Sequence, residues 1–489
     1  MSRTTPVKPV VDLTRRSFLR NGATGAVALS LVQRNASAAE ASDAINIALV
    51  GFGAQGQTLI WAIQKAVGVK VRWIAVCDVL GKKAQSAAAQ VSAKNASGGL
   101  NAYTDIDLML KEHPEIDAVF LAVPDWMHAP YVQKCHAAGK QVYCEKMMSN
   151  TLEAAQSMVR SQRDSGLLLQ IGHQRRSNPR YQFARNELMR KLKVCGRITH
   201  AYGQWNRGVT VPINAKYSEE EVKIIVGQGY KDVFEYLNWR YYRKYGGGPY
   251  SDLGAHQIDI FNWMFGVTPR SVVVSGGKDY YQNINLDKSN PDAPRITYEH
   301  PDNVIAVYEY DVPDNGLVRV VYQVVTTNSS MTAYEKYMGD GGTMVLGEVD
   351  SFNQVYREKW DSDLAKWEEG FFKKGYLKKS SGNIKHKFWE KDRSSWLKAD
   401  PWLDREGVVD VRASAPLDPY EMPVSFNLPY HTPHVANFLE TVHKKGKQTD
   451  LNCPVEDAYK CAVAVIKVNE LALNGGGKIT FKAEDFIVP

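Results

Sequence analysis

Two periodicities divide the chain. From Ile45 to Gln170, short apolar runs alternate with stretches of helical period. Ile45, Ile47, Ala48, Leu49 and Val50 form the first run, and Val71–Val76, Ala118–Val123, Gln141–Cys144 and Leu167–Ile171 form the later ones. Strands that are apolar almost throughout are buried on both faces, and helix-length connections make them parallel. The helices are predicted over Gln57–Val67, Gly81–Ala93, Ala129–Ala138 and Leu152–Ser165. Beyond Gly172 the pattern changes. A helix over Tyr181–Lys193 is followed by a strand over Ile198–Trp205. Val272–Val274, Val304–Tyr310, Val318–Val325 and Lys336–Val345 are rich in β-branched and aromatic residues, with hairpin signals such as Asp314-Asn315-Gly316. These predict an open, largely antiparallel sheet. Pro433–Lys444 and Val455–Leu473 read as amphipathic helices, the second stopped by Asn474-Gly475-Gly476-Gly477.

The turn that closes the first strand reads Gly51-Phe52-Gly53-Ala54-Gln55-Gly56. Glycines there let the backbone turn sharply and let a pyrophosphate approach a helix N-terminus, whose free N–H groups and dipole favour negative charge. Three glycines alone would equally suit a plain structural turn. The strand before, the helix after and a second strand ending in Asp78, 22 residues past Gly56, supply the context of a dinucleotide site. The expected fold is therefore an α/β Rossmann domain, a doubly wound parallel sheet over residues 43–171. An α+β domain with an open, largely antiparallel sheet follows over 172–489, with an insertion near 352–416. Residues 51–56 are assigned to the cofactor's phosphates and Asp78 to the adenosine ribose. Asp78 also suits the cap of the helix starting near Gly81. An acid at this position favours NAD over its phosphorylated form.

Side chains at the carboxyl ends of parallel strands face the ligand crevice. That rule adds Pro124, Asp125, His128 and Glu145 to the cofactor site and sets Lys146 beside it. A lysine here can orient a nicotinamide or polarise a substrate hydroxyl; a solvated surface lysine is the alternative. In the second domain, Gly246-Gly247-Gly248-Pro249 leads into Ser251–Trp263. Helical spacing places Asp252, His256 and Asp259 on one face, two carboxylates flanking an imidazole that they would hold and tune. A helix histidine of purely structural role remains the competing reading.

Length favours two domains over a single core. The net charge of +7 is concentrated at the start of the chain. Residues 1–38 hold Arg3, Lys8, Arg15, Arg16, Arg20 and Arg34 against Asp12, leaving 54 basic and 52 acidic residues elsewhere. Such a balance gives no electrostatic footprint for nucleic acid. Thr14–Arg20, the modestly apolar Gly22–Val32 and Ala36-Ser37-Ala38 follow the order of a twin-arginine export signal over residues 1–38. No apolar run is long enough to span a bilayer. The six cysteines show no CxxC and no zinc spacing, so no metal is expected and no pairing is assigned. Phe371–Lys398 carries nine Lys/Arg against two acids, together with Trp389 and Trp396, and reads as a solvated insertion.

The glycine loop, Val123–His128 (VPDWMH), Ala138–Lys146 (AGKQVYCEK) and Tyr250–Asp259 (YSDLGAHQID) together resemble the glucose-fructose oxidoreductase / inositol dehydrogenase / rhizopine-catabolism (Gfo/Idh/MocA) family. The likeness spans nearly all of the chain after its leader. One departure is Glu145-Lys146-Met147, where the family has Glu-Lys-Pro. The resemblance implies an NAD-dependent oxidoreductase acting on a carbohydrate or polyol. It implies that Lys146 and His256 bracket a ring hydroxyl, with His256 as base and Asp252 orienting it. The run His173–Pro179 resembles the family's entry to the substrate domain, which adds Arg176 to the substrate residues. A homo-oligomer formed through the open sheet is a further expectation. Export to the periplasm or beyond would require the NAD to travel bound and be regenerated in place. Two alternatives stay open: a redox-neutral glycosidase or lyase working through a transient keto-sugar, and a non-catalytic sugar-binding protein with a structural nucleotide.

Overall fold

The structure is a computed structural model that describes residues 44–93, 100–292, 295–358, 366–379 and 419–489. The export signal expected over 1–38 and most of the insertion near 352–416 lie outside those residues. The first domain runs β1 (Ile45–Val50), α1 (Ala54–Lys65), β2 (Val71–Cys77), α2 (Gly81–Ser92), β3 (Asn101–Tyr103), α3 (Ile106–Glu112), β4 (Ala118–Leu121), α4 (Asp125–Ala137), β5 (Gln141–Cys144), α5 (Leu152–Ser165) and β6 (Leu169–Ile171). Its six strands are all parallel, in the order β3-β2-β1-β4-β5-β6. That order reverses between β1 and β4, which opens a ligand crevice at their carboxyl ends. Every residue of β4 is buried, as expected for a strand covered on both faces.

The chain enters the second domain through α6 (Pro179–Phe183), started by the Asn178 side chain, which accepts the Arg180 N–H at 2.9 Å. The helix expected to continue to Lys193 widens into a π-helical stretch over Ala184–Lys191. Next come β7 (Ile198–Asn206), α7 (Glu219–Gly227), α8 (Val233–Leu237) and α9 (Ala255–Phe265). The sheet is completed by β8 (Ser271–Gly277), β9 (Asn303–Val312), β10 (Gly316–Val325), β11 (Ala333–Gly339), β12 (Gly342–Leu346), β13 (Gln354–Arg357), β14 (Lys378–Lys379) and β15 (Tyr420–Glu421). Then follow α10 (Thr432–His443), α11 (Val455–Leu473) and an edge strand β16 (Gly477–Thr480). The order is β14-β15-β13-β12-β11-β7-β10-β9-β8-β16, antiparallel except where β7 meets β10. The single strand expected over Lys336–Val345 is in fact the hairpin β11–β12, because Gly339-Asp340-Gly341-Gly342 reverses the chain.

Two helices near the C-terminus lock the domains together. α11 packs against α5 of the first domain and α9 and β8 of the second. α10 returns to the first domain, where Val435, Phe438 and Leu439 join Ile45, Ile47 and Phe120 in one core. Each such buried side chain contributes roughly 1.5–3 kcal/mol of transfer free energy. All six cysteines are free thiols and buried. Among the described residues no helix is long and apolar enough to cross a membrane.

Candidate active site

A cavity of about 580 Å³ lies between the domains, running from the glycine turn to the N-terminal turns of α9. Gly51, Phe52, Gly53, Ala54 and Gln55 line it at one end, with Asp78 beside them. Gly51 has φ of +94°, and a Cβ there would lie 2.4 Å from the Ala122 carbonyl oxygen. A Cβ on Gly56 would lie 2.1 Å from the Gly51 carbonyl oxygen, so Gly56 shapes the turn from behind and does not line the cavity. A Cβ on Gly53 would meet nothing within 4 Å and would fill the open cradle. No side chain caps α1, so its first-turn N–H groups face that cradle without a side-chain acceptor. The Asp78 carboxylate accepts the Phe52 N–H at 2.8 Å and the Leu80 N–H at 3.0 Å, which ties the turn to the end of β2. These residues fit a dinucleotide, the pyrophosphate at the α1 N-terminus and a ribose at Asp78.

At the other end Lys146 Nζ donates to the Asp252 carbonyl oxygen at 2.6 Å and to Asp252 Oδ1 at 2.8 Å. This contact joins the end of β5 to the turn before α9. Burial raises the Asp252 pKa, but Lys146 and then Arg240 outweigh it and hold the carboxyl well below its ordinary range. At Asp125, 6 % exposed in the first turn of α4, burial outweighs the pull of Lys146 and Arg240 and pushes the carboxyl up to about 7. His256 lines the same cavity, its ring 5.3 Å from that of Trp205. Its Nδ1 is buried without a hydrogen-bond partner. Burial, reinforced by Lys146 and Arg175, pulls its pKa well below the ordinary value, so the imidazole is neutral and able to accept a proton.

The carboxylate–imidazole arrangement read from helical spacing takes a different form here. Asp252 bonds Lys146, and Asp259 forms a bidentate pair with Arg176 at 2.7 and 2.8 Å. Tyr250–Gly254 is a π-helical turn, wider than the α-helix from which the i, i+4 rule is drawn, whereas His256 and Asp259 lie in regular α-helix and Asp259 is turned to Arg176 by packing. Arg176 also reaches Asp457 at 2.9 Å and lies outside the cavity, behind it. His128, 1 % exposed, sits one turn into α4 with its Nδ1 2.7 Å from the Met147 carbonyl oxygen, and it too is not among the lining residues. Pro124 and Glu145 line the cavity from their strand ends. His173, Asp259 and Cys461 form a buried trio at metal-binding separations, but Arg176 already neutralises the carboxylate of that trio.

Several lining residues carry no signal that periodicity would find. His431, just before α10, contacts Gln55 Nε2 at 2.9 Å and closes the cavity over the glycine turn. Behind the lining, Arg175 is buried and paired with Glu335 at 2.5 Å and with the lining residue Glu348 at 3.2 Å, 5.2 Å from the Trp205 ring. Trp205, Arg207, Trp239 and Arg240 form the substrate-domain wall. All but Trp205 fall in the segment 206–245, which is rich in aromatic residues. Part of that segment also covers the adenosine end. Tyr230, Tyr236 and Leu237 line the cavity opposite Asp78, Lys83 Nζ donates to Tyr236 Oη at 2.8 Å, and Trp126 Nε1 donates to Tyr230 Oη at 3.3 Å.

Comparison with known proteins agrees with this architecture. The chain is 31% identical over 145 residues to a 4-carboxy-2-hydroxymuconate-6-semialdehyde dehydrogenase of Sphingobium, covering 30% of this chain and 43% of that one. It is 33% identical over 158 residues to an inositol 2-dehydrogenase of Saccharopolyspora erythraea, covering 32% and 43%. The chain thus spans less than half the length of these two curated relatives. Levoglucosan dehydrogenase, solved with NADH and L-sorbose, superposes with a TM-score of 0.59 at 16% identity, over 89% of this chain and 98% of the other, a likeness of fold. Residues 45–173 match the family model described as an oxidoreductase family with an NAD-binding Rossmann fold, and residues 220–353 match the GFO/IDH/MocA C-terminal domain. With both domains of one family present in order, the chain belongs to the Gfo/Idh/MocA family of NAD-binding oxidoreductases.

Proposed function

We propose that the protein is an NAD-dependent oxidoreductase that acts on a hydroxyl of a carbohydrate or polyol and keeps its cofactor bound between turnovers. The observation that carries this reading is that Lys146 and His256, from different domains, line one cavity that begins at the glycine turn, near enough for the Lys146 charge to act on the imidazole. Bound NAD supplies a hydride acceptor. The residues of this chain do the rest. The neutral His256 accepts the hydroxyl proton as the carbinol carbon is oxidised. Lys146, fixed by its two bonds to Asp252, donates to the same oxygen and favours the alkoxide character that develops there. Asp252 positions Lys146, a different task from orienting the imidazole. Inositol 2-dehydrogenase among the relatives, and the sugar bound to levoglucosan dehydrogenase, support a polyhydroxylated substrate.

The covering of the adenosine end by Tyr230, Tyr236 and Leu237 supports retention of the cofactor, since release requires those contacts to open. Our reading includes export through a twin-arginine signal, on the strength of Arg15-Arg16 and the segments that follow them. It includes homo-oligomer formation through the outer face of the large sheet, where Val273 and Ile305 are exposed. Purified full-length protein should show a nucleotide by mass and absorbance, reduced at 340 nm on adding an accepted sugar. His256→Ala should lower the single-turnover rate roughly 10²–10⁴-fold while leaving the nucleotide bound. A protein that purifies without nucleotide and binds none refutes the reading, as does full activity in both His256→Ala and Lys146→Ala. Free sugar released from a glycoside without net NADH would instead favour the redox-neutral lyase or glycosidase.

A further inference from the structure

Beyond Asp252 the cavity adjoins a side recess of about 40 Å³, lined in part by Arg207, Thr210, Arg240, Asp252, Tyr281 and Tyr298. The charges at its mouth do not balance. Lys146 already pairs with Asp252 Oδ1 at 2.8 Å. Asp252 Oδ2 is left facing Arg240 Nε at 3.6 Å and Arg207 Nη1 at 3.9 Å, both beyond hydrogen-bonding length. Three cations therefore converge on one carboxylate, and two of them keep their donors for another acceptor. Arg240 is held in place against the Trp239 ring, 4.3 Å from its centroid. Deeper in, Tyr298 is stacked between Tyr241 and Tyr281 at 3.7 and 4.0 Å.

We propose that this recess receives the carboxylate of an acidic sugar, so that the substrate is a uronic or aldonic acid in preference to a neutral sugar. The inference rests on the carbohydrate reading above and names its substrate class. A planar carboxylate matches the fork of a guanidinium through two parallel hydrogen bonds. A space of about 40 Å³ suits a group of two oxygens, since one water needs roughly 10–15 Å³ by the same measure. Arg207 and Arg240 supply the opposing charge. With the carboxylate so held, the sugar ring lies in the main cavity between the recess and the Lys146–His256 pair.

The test uses the full chain with its bound nucleotide and three matched pairs: glucuronate with glucose, galacturonate with galactose, and gluconate with glucitol. Single-turnover reduction of that nucleotide at 340 nm gives a limiting rate and a half-saturating concentration for each. The ratio of rate to half-saturating concentration should favour the acid over its neutral partner by tenfold or more at low salt in at least one pair. That preference should fall at least tenfold in Arg207→Gln and in Arg240→Gln, through the half-saturating concentration and not the limiting rate, and it should shrink as salt rises. Quenching of tryptophan fluorescence by the acid, with Trp205 and Trp239 in the cavity wall, reads binding when no turnover occurs. Acid binding that is weakened by both variants supports the recess even if the oxidoreductase reading fails. Ratios near one in all pairs, ratios unchanged by the variants, preference for glucose 6-phosphate over the acids, or equal quenching by acid and neutral sugar would each overturn it.

Discussion

Asp125 provides a test of the site's electrostatics that does not depend on knowing the substrate. The residue is 6 % exposed, and its carboxylate accepts the Gly247 N–H at 3.4 Å. Burial moves its pKa from 3.8 to about 7 in the folded protein. Between those values the folded state holds the proton and the unfolded state does not, so stability falls as pH rises. The contribution is fully present below pH 3.8 and is lost as pH climbs through about 7. At 1.36 kcal/mol for each tenfold change in proton affinity, the loss amounts to about 4 kcal/mol by pH 8, with roughly half of it reached near pH 5.5. Asp125→Asn keeps the shape and removes the ionisation. Urea unfolding of wild type and variant, with nucleotide at saturation, should be followed from pH 4.5 to 8.5. The variant should gain on the wild type steadily across that range, becoming more stable by about 2–4 kcal/mol at the alkaline end. A difference that stays within about 1 kcal/mol at every pH would refute the argument, because a carboxylate able to ionise freely at pH 5 is not desolvated there.

Two further outcomes follow from the contacts described. Arg176→Met leaves Asp259 buried and uncompensated, which should destabilise the fold by about 3–5 kcal/mol. In urea melts its midpoint should drop while the KM of surviving enzyme stays within twofold; a raised KM with normal stability would instead put Arg176 in the substrate site. Tyr236→Phe or Lys83→Met breaks the bond that closes the adenosine end, a charged hydrogen bond of about 1.5–3 kcal/mol. Nucleotide loss during dialysis should accelerate roughly 10–100-fold, and unchanged retention would exclude that closure from holding the cofactor.

The first domain was legible because its physics is local. An apolar strand, a turn in which backbone blocks a Cβ at Gly51 and at Gly56, and a helix in immediate succession leave little freedom in β1, α1 and the cradle between them. The same holds for Lys146, whose place at the end of β5 follows from strand alternation alone. The second domain was legible as a sheet but not in detail. Gly339–Gly342 splits one expected strand in two, and the π turns at Ala184–Lys191 and Tyr250–Gly254 escape any rule built on a 3.6-residue period.

Amino-acid order by itself determined which groups are available for the chemistry: a lysine at a strand end, a histidine on a helix, and a glycine cradle for a dinucleotide. Tertiary structure alone decided their partners. Asp252 and Asp259 lie seven positions apart, yet one holds Lys146 from the other domain and the other holds Arg176 behind the cavity. His431 and Gln55 meet across 376 positions, and Arg207 and Arg240 share one carboxylate from separate segments. The reason is that sequence periodicity reports which face of an element is buried, whereas the partner of a buried charge is set by whichever opposite charge the packing brings within reach.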